Sequence, residues 1–331
     1  MTSASRSKSA FQIMGQFWSV AFLVVALISL EIWTQIQYGR TFVFSAYNIQ
    51  AILVLASIPL IIAIGQTFVI VSGGIDLSTG YVLGLSSVAA AQVLNLASPH
   101  MDALPALLVA GAAAVLVGAM AGRVNGFIVA TLGVPPFIGT LGVFGIARGM
   151  AYLLAGGGST VAVRNPILEA MGNGSIFGVR APIFFAAIVL IVAYYALRHL
   201  RFGQYVYAIG ANRSAAERVG INVKRQIASI YTLSGACAGI AALGCCARYS
   251  AGAPQAGEPM LLDSIAMVVI GGASLFGGSG TIIGTLIGAL TIATVQYGLV
   301  VVNVEPFWQF ITVGLIIIAA VLIDQAKGKF L

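Results

Sequence analysis

Long apolar runs separated by short polar breaks recur along the whole chain. A run of about 20 apolar residues is long enough to cross a bilayer as a helix. Such runs lie at Phe17 to Ile36, Ile49 to Val71, from Ser78 to near Ala97, Leu104 to Phe127, Phe137 to Ala155, Pro182 to Leu197, Ile227 to Ala247 and Thr281 to Val302. A further run opens at Pro306 and ends near Ile323. Met260 to Ile270 is apolar but has only 11 residues, too short for a full crossing at about 1.5 Å per residue. Either it extends into its flanking turns or it is a broken or re-entrant helix. Counted as a crossing, it brings the prediction to ten transmembrane helices in one all-α polytopic membrane domain over residues 1–331.

Composition agrees with the pattern. The chain is 60% hydrophobic and 8% charged, with a mean hydropathy of +1.02. A soluble chain carries roughly a quarter charged residues. The formal net charge of +7 does not point to nucleic acid, because the basic residues sit at the ends of spans rather than in a stripe with aromatics. Residues 198–226 form the main hydrophilic break and hold six of the 16 Lys and Arg: Arg198, Arg201, Arg213, Arg218, Lys224 and Arg225.

Charge also orients the spans, since cytoplasmic segments carry the excess of Lys and Arg. With ten crossings and the N-terminus inside, those six join Arg6, Lys8, Arg123, Lys327 and Lys329 on one side. Arg40, Arg164, Arg180 and Arg248 fall on the other. Eleven against four places both termini and the central loop in the cytoplasm. Residues 1–16 then form a cytoplasmic tail, and Phe17 to Ile36 fits an uncleaved first span better than a signal peptide, because no small-residue cleavage site follows it. Cys237, Cys245 and Cys246 share one apolar run and read as buried packing residues.

Ser214-Ala215-Ala216-Glu217 has the form of a capping box, in which the Ser hydroxyl and the Glu carboxylate satisfy each other's backbone amides. Gly220 can end that helix in the left-handed conformation. A helix of barely two turns is not stable alone and must dock on its own protein or on a partner. Asp76 opens a span and is either its N-cap or a group concerned with substrate passage. Arg148 lies well inside a span, where a charge marks a water-lined path or a buried pair. Asp263, with Glu258 nearby, reads as a cap of the short helix, and Asn125 as a group satisfying a helix terminus. Trp308 and Tyr297 read as interfacial anchors. Ile70 to Gly80 echoes Val269 to Gly278, and Val134 to Thr140 echoes Val304 to Phe310, the kind of repetition from which many transporters are built. No phosphate-binding loop, zinc-protease motif or nucleophile elbow is present, so neither ATP binding by a P-loop nor catalysis has support.

Several of these stretches carry a resemblance. F-V-I-V-S-G-G-I-D-L-S-T-G (Phe68 to Gly80), N-G-F-I-V-A-T-L-G-V-P-P-F-I-G-T-L-G (Asn125 to Gly142), G-I-A-R-G (Gly145 to Gly149), G-A-N-R-S-A-A-E-R-V-G-I-N (Gly210 to Asn222), D-S-I-A-M-V-V-I-G-G-A-S-L-F-G-G (Asp263 to Gly278) and V-E-P-F-W-Q (Val304 to Gln309) resemble the bacterial ribose-type monosaccharide ABC-importer permeases. Leu262 departs from the pattern, since family members often carry an acid there. The resemblance implies a permease that translocates a pentose or hexose across the inner membrane by alternating access. It further implies a second permease subunit, in all expectation identical, a periplasmic sugar-binding protein, and a separate cytoplasmic ATPase that binds ATP and Mg, so that this chain holds no cofactor of its own. Asn212, Arg213, Ser214, Ala215, Ala216, Glu217, Arg218, Val219 and Gly220 would form the segment that docks on the ATPase. Asp76, Asn125, Arg148, Asp263, Trp308 and Gln309 are the candidates for the translocation path. A sugar-like signal such as autoinducer-2 is the alternative cargo, and an ion-coupled secondary transporter the rival class.

Overall fold

The computed structural model describes residues 10–158, 160–305 and 307–330, with side chains from Trp18 to Ala319 and at 321 and 322 within those ranges. Arg6, Lys8 and Pro306 lie outside the described residues, as do the side chains of Lys327 and Lys329. In chain order the elements are α1 (Ala10–Tyr38), α2 (Ala46–Val71), α3 (Thr79–Ala97), α4 (Ala103–Ala130), α5 (Pro136–Leu154), β1 (Val161–Ala162), α6 (Pro166–Asn173), β2 (Ser175–Ile176) and β3 (Val179–Arg180). They continue with α7 (Ala181–His199), α8 (Arg201–Ala211), α9 (Arg213–Arg218), α10 (Val223–Tyr249), β4 (Ala251–Gly252), α11 (Glu258–Ile270), α12 (Ile282–Val301) and α13 (Phe307–Phe330).

Among the described residues, eight helices are long and apolar enough to cross a membrane: α1 from Trp18, α2, α3, α4, α5, α7, α10 and α12. Within α13 the qualifying apolar stretch is shorter, Phe307–Ala319. The stretch expected to be short is indeed a half-length helix, α11, stopped by the glycine-rich turn that leads into α12.

The core forms where α10 packs on α4, α2 and α3. In lipid no hydrophobic force drives one apolar helix against another, so association rests on close packing, which small residues permit. Gly118, Gly122 and Gly126 line one face of α4 and meet Gly235, Tyr231 and Ala228 of α10 backbone to backbone; a Cβ on Gly118 would overlap the Gly235 carbonyl. The most deeply buried helix is α2, enclosed from Ala56 to Val71. The three cysteines are buried and free, as their apolar setting predicts.

Two polar breaks hold more structure than their composition predicts. Residues 156–180, the polar segment between the runs ending at Ala155 and opening at Pro182, contain α6, started by Asn165 accepting from the Ile167 and Leu168 amides at 3.0 and 3.1 Å, and the hairpin β2–β3. Strand β1 pairs antiparallel with β4, Val161 opposite Gly252, which ties this break to the end of α10. The central break 198–226 contains α8 as well as the expected short helix. Leu200 in extended conformation separates α8 from α7, and Gly203, Val206 and Ile209 form its buried face.

Candidate functional site

The exposed short helix α9 is capped one way and closed another. Its N-cap is Asn212, whose side chain accepts from the Ala215 amide at 2.9 Å; the expected capping box begun by Ser214 does not form. Asn212 adopts the extended conformation an N-cap needs, so the helix begins two residues early and Ser214 falls inside it. Glu217 instead faces Arg213, at 3.6 Å one turn back, in an exposed pair of small energetic weight. At the other end the expectation for Gly220 holds. It sits at φ +86, the Gly220 amide donates to Glu217 O at 3.1 Å, and the Ile221 amide donates to Ala216 O at 3.1 Å. These two bonds make a Schellman closure. Ala216 is buried, Ala215 is half-buried, and Asn212, Arg213, Ser214, Glu217, Arg218, Val219 and Gly220 are exposed. Val219 thus points away from the protein rather than joining the alanines on the packed side.

Helix α8, continuous with α9 through Asn212, rests on two turns that are far apart in sequence. At Gly210 there is no room for a side chain, because a Cβ would overlap Val71 O and crowd the Gly278 amide. The Gly278 amide donates to Val71 O at 2.8 Å, so the turns following α2 and α11 lie side by side under α8. These are the stretches whose sequences echo one another. The Tyr207 hydroxyl donates to Gly280 O at 2.6 Å, and burial raises its phenol above the ordinary value, which keeps it a donor. A cleft of about 250 Å³ separates α8 and α9 from the first turn and is bordered by Ser72, Gly74, Asn212, Arg213 and Tyr231.

Asp76, in the first turn, is fully buried and is not the N-cap of α3, which is Ser78. Its Oδ1 accepts from the Ser78 amide at 3.0 Å, the Ser78 hydroxyl at 2.6 Å and Asn125 Nδ2 at 3.3 Å. Its Oδ2 accepts from the Ser234 hydroxyl at 3.0 Å. Asn125 also donates to Ser78 Oγ at 2.7 Å, so it serves the start of α3 and not the end of its own helix. Gln66 Nε2 donates to the Asp76 carbonyl and, at 3.1 Å, to Thr79 Oγ1. The Tyr231 hydroxyl donates to Ile75 O at 3.3 Å. Asp76 thereby joins α3, α4 and α10 through its carboxylate and α2 through its main-chain carbonyl.

The remaining candidates do not converge on it. Arg148 is exposed on α5, its guanidinium carbon 5.3 Å from the ring centroid of Tyr81, whose hydroxyl donates to Glu258 Oε2 at 2.8 Å. On the same helix Gly142, Gly145 and Gly149 are open, with nothing close to them. Asp263 is the sixth residue of α11, behind the N-cap Gly257, so it is not the cap expected of it; it accepts from Gln296 Nε2 at 2.9 Å. Trp308 is exposed on α13, while Gln309 is half-buried and lines a cavity between α2, α10 and α12. Tyr297, expected to be an interfacial anchor, donates to Asn48 Oδ1 at 2.9 Å and packs with Phe42 at 6.0 Å between centroids.

Residues 48–321 match the family described as branched-chain amino acid transport system / permease component. The chain belongs to this family. It is 39% identical over 287 residues to the ribose import permease protein of Escherichia coli strain K12, covering 86% of this chain and 87% of that protein. It is 34% identical over 315 residues to the D-allose transport system permease protein of the same strain, covering 95% and 92%. With the fructose import permease protein of Rhizobium meliloti it shares 37% over 311 residues, covering 92% and 84%. No solved structure matches it. The permease is therefore a multi-pass membrane protein, and the resemblance to ribose-type import permeases read from its motifs is met.

Several residues of the permease site were not singled out in the sequence. Tyr207, Gly210, Tyr231 and Ser234 sit in stretches read as loop or as plain span. The period of Gly203, Val206 and Ile209 was a legible sign of α8. Nothing local marks Ser234, which is 158 residues from Asp76.

Proposed function

We propose that the permease is the membrane-spanning subunit of an ATP-binding-cassette importer that carries a monosaccharide, a pentose or hexose, across the bacterial inner membrane. The observation that carries this reading is the exposed helix α9, joined to α8, which rests on the turns after both α2 and α11. A push on α9 would reach both turns through α8. A separate cytoplasmic ATPase, holding ATP and Mg, supplies that push, and the spans rock between outward and inward openings. A periplasmic sugar-binding protein delivers the sugar. The relatives' names, which concern ribose, allose and fructose, support a monosaccharide without choosing one.

In this assembly α8, α9 and both termini face the cytoplasm, and the α6 segment faces the periplasm. Helices α11 and α13 complete ten crossings, with α11 extended by its turns. A second copy of the chain packs near the open glycine face of α5 and shelters Arg148, a charge too costly to leave in lipid.

The test is uptake into proteoliposomes that contain the chain, its ATPase and its binding protein. ATP-dependent uptake of a monosaccharide is expected; uptake by the chain alone, driven by an ion gradient, would place it in another transport class. Gly220→Val forces a β-branched residue to φ +86, at a cost of about 1–2 kcal/mol that opens the Schellman closure. Uptake is expected to fall about tenfold or more, together with the ATP hydrolysis that the loaded binding protein stimulates. Unchanged coupling in Gly220→Val and in Glu217→Ala would remove α9 from the mechanism.

A further inference from the structure

The end of the molecule away from α9 holds a cavity of about 700 Å³. Helix α10 begins just after α9 and ends beside this cavity 27 residues later, a separation of about 40 Å. The volume lies within the roughly 300–1,000 Å³ of small-molecule sites. Its polar lining consists of Gln50, Gln296, Gln309, Asn173, Arg180 and Arg248, with no carboxylate. That is a dense set of hydrogen-bonding groups for a membrane protein with 8% charged residues.

Several of these side chains are held in place by contacts behind the wall. Gln50 Nε2 donates to Gly178 O at 3.0 Å, and Gln296 Nε2 donates to Asp263 Oδ2 at 2.9 Å. Each amide is anchored through its nitrogen and offers its oxygen as an acceptor. Arg180 Nη1 donates to Asn173 O at 3.1 Å, and the other guanidinium nitrogens remain as donors. The Tyr297 hydroxyl is fixed on Asn48, and Tyr47 stands in the same wall, so two aromatic rings border the space.

We propose that this cavity is a low-affinity monosaccharide site at the outer mouth of the permease. Neighbouring hydroxyls of a sugar are each donor and acceptor, and they match paired amide oxygens and guanidinium N–H groups. The tyrosine rings suit the apolar C–H face of a pyranose or furanose. The proposal rests on the importer reading and adds to it a holding place for sugar released by the binding protein, before passage toward the α2 and α11 turns. It also gives Asp263 and Gln309 places at one site: Asp263 fixes Gln296, and Gln309 lines the wall.

The experiment is saturation-transfer NMR on the full chain in nanodiscs, with D-ribose, D-fructose, D-allose and D-galactose at millimolar concentration, beside uptake by the reconstituted transporter. Transfer to at least one sugar is expected. Gln296→Leu and Gln50→Leu should each raise the half-saturating concentration about tenfold, the loss of one hydrogen bond to a desolvated partner. Lys224→Gln, at the opposite end and outside the α9 segment, should leave it unchanged. Thermal unfolding identifies a variant that has lost its fold, in which case the other glutamine variant and Gln309→Leu decide. Absence of transfer to every sugar overturns the proposal, as does transfer that survives these variants. Displacement by inorganic phosphate would mark an anion site built on Arg180 and Arg248 and would overturn it equally. ATP-driven uptake without cavity binding leaves the importer reading standing and removes this site. Cavity binding without ATP-driven uptake does the reverse.

Discussion

Gly210→Val is expected to abolish uptake while leaving the chain in the membrane. The glycine sits where α8 meets the backbone of both polar turns, and any Cβ there overlaps the Val71 carbonyl oxygen. The same oxygen accepts from the Gly278 amide at 2.8 Å, so displacing it disturbs the joint between the two turns. Neither atom is the end of a flexible side chain, and relief requires a shift of main chain. Overpacking of this kind costs typically about 1–3 kcal/mol, and here the strain falls on a junction that links α8, and through it α9, to the interior. Insertion depends on the hydropathy of the apolar spans, whose sequences the substitution leaves unaltered. We therefore expect normal amounts of membrane protein, uptake reduced by about a hundredfold, and a lower unfolding temperature in detergent. Gly210→Ala carries the same first carbon and should go most of the way. Near-normal uptake by both variants would show that α8 transmits nothing to the turns.

The spans were legible in the sequence because hydropathy and length decide them, and the half-length of α11 was legible for the same reason. Which face of each span lies inward was not. Lipid and protein interior are both apolar, so a span carries no stripe of polar residues to orient it. The glycine face of α4 that meets α10 looks, in sequence, like the open glycine face of α5. Capping was read two residues late, since Asn212 and Ser214 are both good caps and only the extended backbone at Asn212 chooses between them. Asp76, Asn125, Arg148, Asp263 and Gln309 were picked out as polar groups in an oily chain, a sound signal for burial in protein or near water. That Asp76 and Asn125 meet in a buried hub, that Arg148 stands apart over Tyr81, and that Gln309 lines the far cavity with Asp263 behind it depends on contacts up to 158 residues apart in sequence. Gln50 and Arg180 entered that cavity from stretches with no distinguishing pattern.

Asp76→Ala is expected to cost about 3 kcal/mol or more of stability, against about 1 kcal/mol for Asp76→Asn. Alanine leaves the Ser78 amide, the Ser78 hydroxyl, Asn125 Nδ2 and the Ser234 hydroxyl short of an acceptor in a site with no exposure to solvent. A buried donor without a partner costs about 1–3 kcal/mol, although hydroxyls can turn and Asn125 keeps its bond to Ser78. Asparagine retains one acceptor oxygen for the Ser78 and Asn125 donors, and the Ser234 hydroxyl can reverse and accept from the new amide. Thermal unfolding of the three proteins in the same detergent measures the order; an alanine variant no weaker than the asparagine variant would mean that the hub does not hold these helices. The consequence for transport follows from what the carboxylate joins. Because Asp76 binds groups from α3, α4 and α10 while Gln66 of α2 holds the Asp76 carbonyl, we expect these helices to follow the first turn as one block if it is displaced. Ser234→Ala removes the bond between the carboxylate and α10 and leaves Asp76 Oδ2 short of a donor, while Tyr231 still holds α10 to the Ile75 carbonyl; we expect it to lower stability less than Asp76→Ala and to lower uptake by loosening α10 from the first turn.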